Sequence, residues 1–157
     1  MKKLLVSLFW IAILLSGCAT SLPSVEAMKA DSETVVLPKL PEANMAMIYV
    51  FRPSQLGGLV RFNVFVNDQE QDSEVGYTRG GQYIYFQLKP GTYKILSKAE
   101  NWAETVIEPK ADDILFIQQE PSMGFVMARN SIFKVAEYEG KYHIKRLSPG
   151  TIIRPSK

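Results

Sequence analysis

The sequence predicts an all-β fold, a single antiparallel β-sandwich of the transthyretin-like or Greek-key type, and two observations lead to this prediction. Short apolar runs recur from about residue 45 to residue 157, with turn residues between them roughly every ten residues. Several runs alternate apolar and polar side chains, which is the period of a half-buried strand. In residues 61–67, one face is expected to carry Phe62, Val64 and Val66, and the other Arg61, Asn63, Phe65 and Asn67. Because 157 residues suffice for one ordinary domain, we assign the sandwich to residues 45–157.

The strand candidates follow one another along this domain. Residues 114–118 are apolar on both faces and are expected in the centre of a sheet. Pro90 and Gly91 separate two candidates, which are therefore expected to form a hairpin. The candidates before residue 120 are 45–52, 61–67, 82–88, 92–98, 105–108 and 114–118.

The last part of the chain allows two interpretations. Residues 132–138 and 142–147 are expected to form a final hairpin. A helix over residues 131–139 is the alternative, because the apolar residues there also fit helical spacing.

The first 17 residues have the features of a secretory signal peptide. Lys2 and Lys3 precede an apolar stretch over residues 4–15. About twelve helical residues span only about 18 Å, less than a membrane-spanning helix needs. We therefore expect this segment to be removed.

The end of the signal, Leu15-Ser16-Gly17-Cys18, resembles the lipobox of bacterial lipoproteins. The resemblance implies cleavage between Gly17 and Cys18 and acylation of Cys18, which would attach the protein to a lipid bilayer. Ala19, rather than Asp, resembles the outer-membrane sorting pattern, so we expect the periplasmic face of the outer membrane. An ordinary secretory signal with an incidental cysteine is the alternative.

Residues 18–44 are expected to form a flexible tether. They are rich in Ser, Thr, Pro and charged residues and show no sustained apolar period. A coil of about 25 residues reaches roughly 25 to 30 Å. Two alternatives remain open, a short helix over residues 25–30 and docking of residues 35–37 on the domain.

Four segments of the strand region carry a resemblance to a known family, residues 48–54, 64–68, 80–83 and 88–93. In order and spacing they are similar to an uncharacterised family of short bacterial lipoproteins with a domain-of-unknown-function label (DUF2846-like), and to transthyretin-like and PEGA-type β-sandwiches. The resemblance implies a sandwich in the cell envelope and no known activity or catalytic residue.

Composition excludes several chemistries. One Cys and one His leave no internal disulfide and no zinc site of the paired-cysteine kind. His143 stands alone in a basic run, and no nucleophile elbow or phosphate-binding loop occurs. The acidic run over residues 68–74 does not fit an EF-hand, because Arg79 occupies the twelfth position. We therefore expect no enzyme, no cofactor and no metal.

Net charge argues against a nucleic-acid binder. Removing the signal takes away Lys2 and Lys3 and no acid, which leaves 16 of the 18 basic residues against 16 acidic ones. The mature body is therefore formally neutral.

Four aromatic residues, Tyr77, Tyr83, Tyr85 and Trp102, are candidates for a ligand or partner surface, because polar-tipped aromatic residues are enriched at binding surfaces. Cross-strand packing or a second layer over the sheet is the structural alternative. We expect a non-enzymatic interaction or structural module, with an envelope protein or peptidoglycan as partner. The alternative is a small-ligand or glycan-binding module that uses these rings.

Overall fold

The structure, a computed structural model, describes residues 22–125 and 128–156. The predicted signal peptide, its cleavage position and the predicted lipidation of Cys18 lie outside these residues. The described elements are α1 (Val25–Ser32), β1 (Ala46–Arg52), β2 (Phe62–Val66), β3 (Glu74–Thr78), β4 (Gln82–Leu88), β5 (Tyr93–Lys98), β6 (Trp102–Ile107), β7 (Ile114–Met123), β8 (Ala128–Val135), α2 (Glu137–Ile144), β9 (Ser148–Pro149) and β10 (Thr151–Ile152).

Two five-stranded sheets form a sandwich, which confirms the predicted all-β fold. Sheet A has the order β8-β7-β1-β4-β9, and sheet B has the order β10-β3-β2-β5-β6. Most neighbours are antiparallel, but β1 pairs with β7, and β4 with β9, in parallel. Sheet A is therefore mixed, whereas all pairs of sheet B are antiparallel as predicted.

The core lies between the facing sides of the two sheets. Val64 and Val66 of β2 belong to this core, as the alternation predicts. One polar chain crosses the core: the Thr78 hydroxyl donates to the Gln119 side-chain oxygen, and Gln119 Nε2 donates to Ser97 Oγ at 2.7 Å. This chain satisfies polar groups that burial would otherwise penalise.

A third layer covers the outer side of sheet A. Ile144 of α2 and Leu37 before β1 pack on Met47, Tyr49 and other side chains of that face. Every residue of β1 is therefore buried. Two-sided burial explains why β1 is a continuous apolar run rather than an alternating one.

The segment before β1 differs from the expected flexible tether. Ser24 caps α1, and α1 packs against α2, where Asp31 pairs with Lys145 at 2.8 Å and with Arg146 at 2.6 Å. Residues 33–42, here called the strap, then cross sheet A, and the Tyr49 hydroxyl accepts from the Lys39 amide at 2.9 Å. The two alternatives, a short helix and docking near residues 35–37, describe this stretch better than a free coil does.

We expect Leu37→Ala to lower the free energy of unfolding by about 2 to 3 kcal/mol, because truncating a buried leucine to alanine loses burial and leaves a cavity. Leu37 is 8% exposed and packs in the apolar cluster of the helical layer. The neighbouring Val36 is 91% exposed, so Val36→Ala is the matched control and should change little. Denaturant unfolding measures both. Equal effects would show that the strap is not docked.

The hairpin expected around Pro90 and Gly91 is wrong. β4 pairs with β1 and β9 in sheet A, whereas β5 pairs with β2 and β6 in sheet B. The turn therefore carries the chain from one sheet to the other. The crossing places Phe86 and Ile95 in the same core, facing each other across it rather than side by side.

The last hairpin, expected from residues 132–138 and 142–147, is also wrong. Residues 128–135 form β8 beside β7, and residues 137–144 form α2, so the alternative helix over 131–139 is misplaced as well. Gly140 explains the helix position, because its missing side chain lets α2 approach the ring of Phe116.

β3 is an element that the alternation did not predict. It contains Gly76, and the register of its pairing with β2 shifts between Val64 and Phe65. Such a bulge disrupts the alternation of side chains along a strand. The acidic run over residues 68–74 lies in the connection between β2 and β3, as expected for a hairpin loop.

Candidate functional site

The four predicted aromatic residues do not form one surface. Tyr83 and Tyr85 belong to β4 in sheet A, whereas Tyr77 and Trp102 belong to β3 and β6 in sheet B. Each pair therefore has to be considered separately.

Tyr83 and Tyr85 lie beneath the helical layer. Tyr83 is 6% exposed, and the ring of Tyr49 lies between the two, 6.2 Å from Tyr83 and 5.7 Å from Tyr85. Burial raises the pKa of Tyr49 to about 12 and also raises that of Tyr83. Tyr83 lines a pocket of about 420 Å³ beside the strap but exposes little of its ring, so the structural alternative of a second covering layer describes it better than an exposed ligand surface does.

Tyr77 and Trp102 lie on the outer face of sheet B. The pairing register places Tyr77 beside Asn63, Asn63 beside Lys98, and Lys98 beside Trp102. Paired residues share a face, so these side chains form a row across four strands. Both aromatic residues are partly exposed.

Cationic side chains cover the rings of this row. The guanidinium groups of Arg61 and Arg79 lie 5.0 and 5.4 Å from the centre of the Tyr77 ring, and Lys98 Nζ lies 4.6 Å from that of Trp102. The Thr151 and Arg61 hydrogen bonds lower the pKa of Tyr77. Cation–π contacts of this kind hold flexible cations in place.

A shallow pocket of about 340 Å³ opens beside the two middle residues of this row, Asn63 and Lys98. We call it the cationic pocket, and it is lined by Leu59, Val60, Arg61, Asn63, Arg79, Lys98 and Ala99. Leu59 is 91% exposed at its rim. Among the ion pairs of the described residues, none involves Arg61, Arg79 or Lys98.

Buried Arg52 positions the loop that forms one wall of the cationic pocket. Its side chain is fully buried and donates to the carbonyl oxygens of Leu56, of Gly57 at 2.9 Å and of Val60 at 2.8 Å. The guanidinium also lies 3.8 Å from the centre of the Phe62 ring. The loop is thus attached to the core by one charged group with several donors, a geometry that lysine cannot reproduce.

A second concavity, of about 540 Å³, lies on the opposite side of the molecule beside α2. It is lined by Leu22, Pro53, Ser54, Gln118, Glu120, Glu139 and His143. His143 is buried, and its ring stacks on Phe51 at 5.4 Å. Burial, with a smaller effect from Arg146, lowers the pKa of His143. Its contacts are those of a packing residue.

The lowered pKa of His143 predicts a pH dependence of stability. Below about pH 6.5 the unfolded chain takes up a proton at this residue more readily than the folded chain does. We therefore expect stability to fall as the pH drops from 7 to 5, and to fall less in His143→Gln. Denaturant unfolding of both proteins across this range tests it, and parallel pH profiles would contradict it.

The described residues lack both a cluster of metal ligands and a helix that could span a membrane. Residues 22–125 and 128–156 contain no group of three or more His, Cys, Asp or Glu side chains arranged to hold a metal ion. No helix in the same residues is long and apolar enough to cross a membrane.

Sequence reasoning missed the three cations and identified only two of the aromatic residues beside them. Arg61 and Asn63 were assigned to the polar face of their strand, but polar faces are usually only solvated. The link between Arg61, Arg79 and Lys98 depends on the register of three strands, which no local pattern contains.

These features define a two-layered β-sandwich module, with a helical layer on one sheet and a cationic pocket on the other. Residues 42–131 match the family described as "Protein of unknown function (DUF2846)", and the chain belongs to this family. An uncharacterized protein of Haemophilus influenzae is 27% identical over 144 residues, which cover 90% of this chain and 81% of that protein. The cationic pocket lies within the residues matched by the family, and α2 with His143 lies outside them.

Proposed function

We propose that this protein is a membrane-anchored lipoprotein of the bacterial envelope, and that its sandwich acts there as a non-enzymatic interaction module. The four residues that end at Cys18 support the anchor, since they resemble a lipobox at every position. Ala19 supports the outer membrane, with the domain facing the periplasm. Several acyl chains on Cys18 would hold the protein durably on a bilayer, where one chain would not.

The short separation between Cys18 and α1 limits how far the domain stands from the lipid. Five residues lie between Cys18 and Ser24, the cap of α1. The six Cα–Cα steps across them span at most about 20 Å when fully extended. The module would therefore be held near the bilayer, closer than a free 25-residue coil would allow.

The observation that carries the interaction role is the outer face of sheet B. It presents Arg61, Arg79 and Lys98 around one pocket, and none of these is neutralised by an ion pair among the described residues. Pockets of about 420 and 310 Å³ also lie on the outer side of sheet A, but each is lined by a single cationic side chain, Lys145 in the first and Lys39 in the second. A glycan-binding role that depends on free aromatic rings has less support, because cations cover Tyr77 and Trp102.

We expect metabolic labelling with an alkyne fatty acid to mark the wild-type protein and not Cys18→Ala, because the thiol is the acceptor for the lipid. The wild type should sediment with membranes, and the variant should not. Ser21→Ala, three residues away, is the matched control and should be labelled normally. Equal labelling of Cys18→Ala, or an unlabelled wild type, would overturn the anchor.

A further inference from the structure

The cationic pocket has the chemistry of an oxyanion site. Two arginines converge on one tyrosine ring, and a guanidinium binds carboxylates and phosphates through paired hydrogen bonds. Glu74 accepts a hydrogen bond from Asn63 at 2.6 Å, and the ion pairs among the described residues do not include Arg61, Arg79 or Lys98. The three cations are therefore available to a ligand.

The spacing of the cations favours a ligand with several separated anionic groups. Arg61 and Arg79 share Tyr77 on β3, while Lys98 lies on β5, two strands away. Neighbouring strands are about 4.8 Å apart, so the arginine pair and Lys98 stand roughly 10 Å from each other. A single phosphate cannot bridge that distance, whereas a polymer that carries repeated carboxylates can.

The position of the pocket separates it from the proposed anchor. Helix α1, which follows Cys18, belongs to the layer on the outer side of sheet A. The pocket lies on the outer side of sheet B, two layers away, and packed layers are about 10 Å apart. Headgroups of the anchoring membrane lie on the wrong side of the sandwich to reach it easily.

We propose that the cationic pocket binds the free carboxylates of peptidoglycan, the glycopeptide polymer of the cell wall. This inference rests on the proposed envelope location of the protein. Arg61 and Arg79 take one carboxylate together, and Lys98 takes a second on the same polymer. Tyr77 and Trp102 position the cations and do not stack on sugars.

The test is co-sedimentation of the detergent-solubilised full-length protein with purified sacculi. Arg61→Gln combined with Lys98→Gln should weaken binding roughly tenfold, because two charge-assisted contacts are lost. Lys89→Gln combined with Lys110→Gln removes the same charge from exposed sites outside the pocket and should bind like the wild type. An equal loss in both double variants would reduce the effect to net charge and overturn the site.

Two further experiments with the wild-type protein identify the chemistry of the ligand. Sacculi whose carboxylates are converted to amides should no longer bind the wild type, and unchanged binding to them would overturn the proposal. Phosphatidylglycerol mixed into the detergent micelles should not displace the protein from sacculi, and displacement would assign the pocket to lipid phosphate instead. Because detergent makes lipidation irrelevant here, loss of sacculus binding overturns the pocket, and loss of fatty-acid labelling overturns the anchor.

Discussion

Replacing Arg52 with methionine is expected to lower the free energy of unfolding by about 3 to 5 kcal/mol, since hydrogen bonds from a charged group contribute about 1.5 to 3 kcal/mol each. The side chain donates to three carbonyl oxygens in residues 56–60, and methionine fills a similar volume without any donor. The carbonyl groups of residues 56–60 would lose these donors and would need hydrogen bonds from water instead. The loop that contains them would then move away from the core. Denaturant unfolding measures the loss.

The controls for Arg52→Met separate charge from geometry. Arg52→Lys keeps the charge but offers one compact donor group, so it should recover only part of the stability. Arg129→Met removes an exposed arginine and should stay within about 0.5 kcal/mol of the wild type. If Arg52→Met matched Arg129→Met, the buried arginine would not be what holds this loop.

Gly140→Ala is expected to lower stability by about 3 kcal/mol, although alanine favours a helix interior by about 1 kcal/mol over glycine. A methyl group at this position would overlap the ring of Phe116, which is 1% exposed and stacks on Tyr49 at 5.5 Å. Helix α2 would have to move away from sheet A. Thermal or denaturant unfolding detects the change.

The contact between Gly140 and Phe116 is tested by a double variant. If overlap is the cause, Phe116→Leu should reduce the damage done by Gly140→Ala, and the two effects should not add. A stabilised Gly140→Ala protein, or strict additivity, would show that α2 does not approach the sheet this closely.

Local patterns predicted the strands whose two sides face different surroundings. The alternation in residues 61–67 placed Phe62, Val64 and Val66 on the core side, and all three are buried. Burial on both faces was also predictable. The apolar run from residue 114 was expected in the centre of a sheet, and it lies between two other strands of sheet A. These predictions succeeded because burial of one strand face requires an apolar side chain at every second residue, and this alternation is visible in the sequence.

The pairing of strands and the helical layer were not predictable in the same way. Pro90 and Gly91 permit a hairpin and a crossing between sheets equally well, and packing across the core decides between them. The helix after β8 depends on Gly140 meeting Phe116, which is distant in sequence. The pocket likewise depends on long-range register, so the sequence pointed to Tyr77 and Trp102 but not to the cations beside them.

In the proposed arrangement the protein is anchored on its helical side and presents the outer face of sheet B to the cell wall. A photo-crosslinking amino acid placed in living cells at Leu59 or at Val36 tests this arrangement, because both positions are 91% exposed and lie on opposite sides of the sandwich. We predict that the probe at Leu59 yields adducts that a muramidase releases, and that the probe at Val36 yields lipid adducts. Wall adducts from Val36 at the level of Leu59, or only lipid adducts from Leu59, would contradict this arrangement.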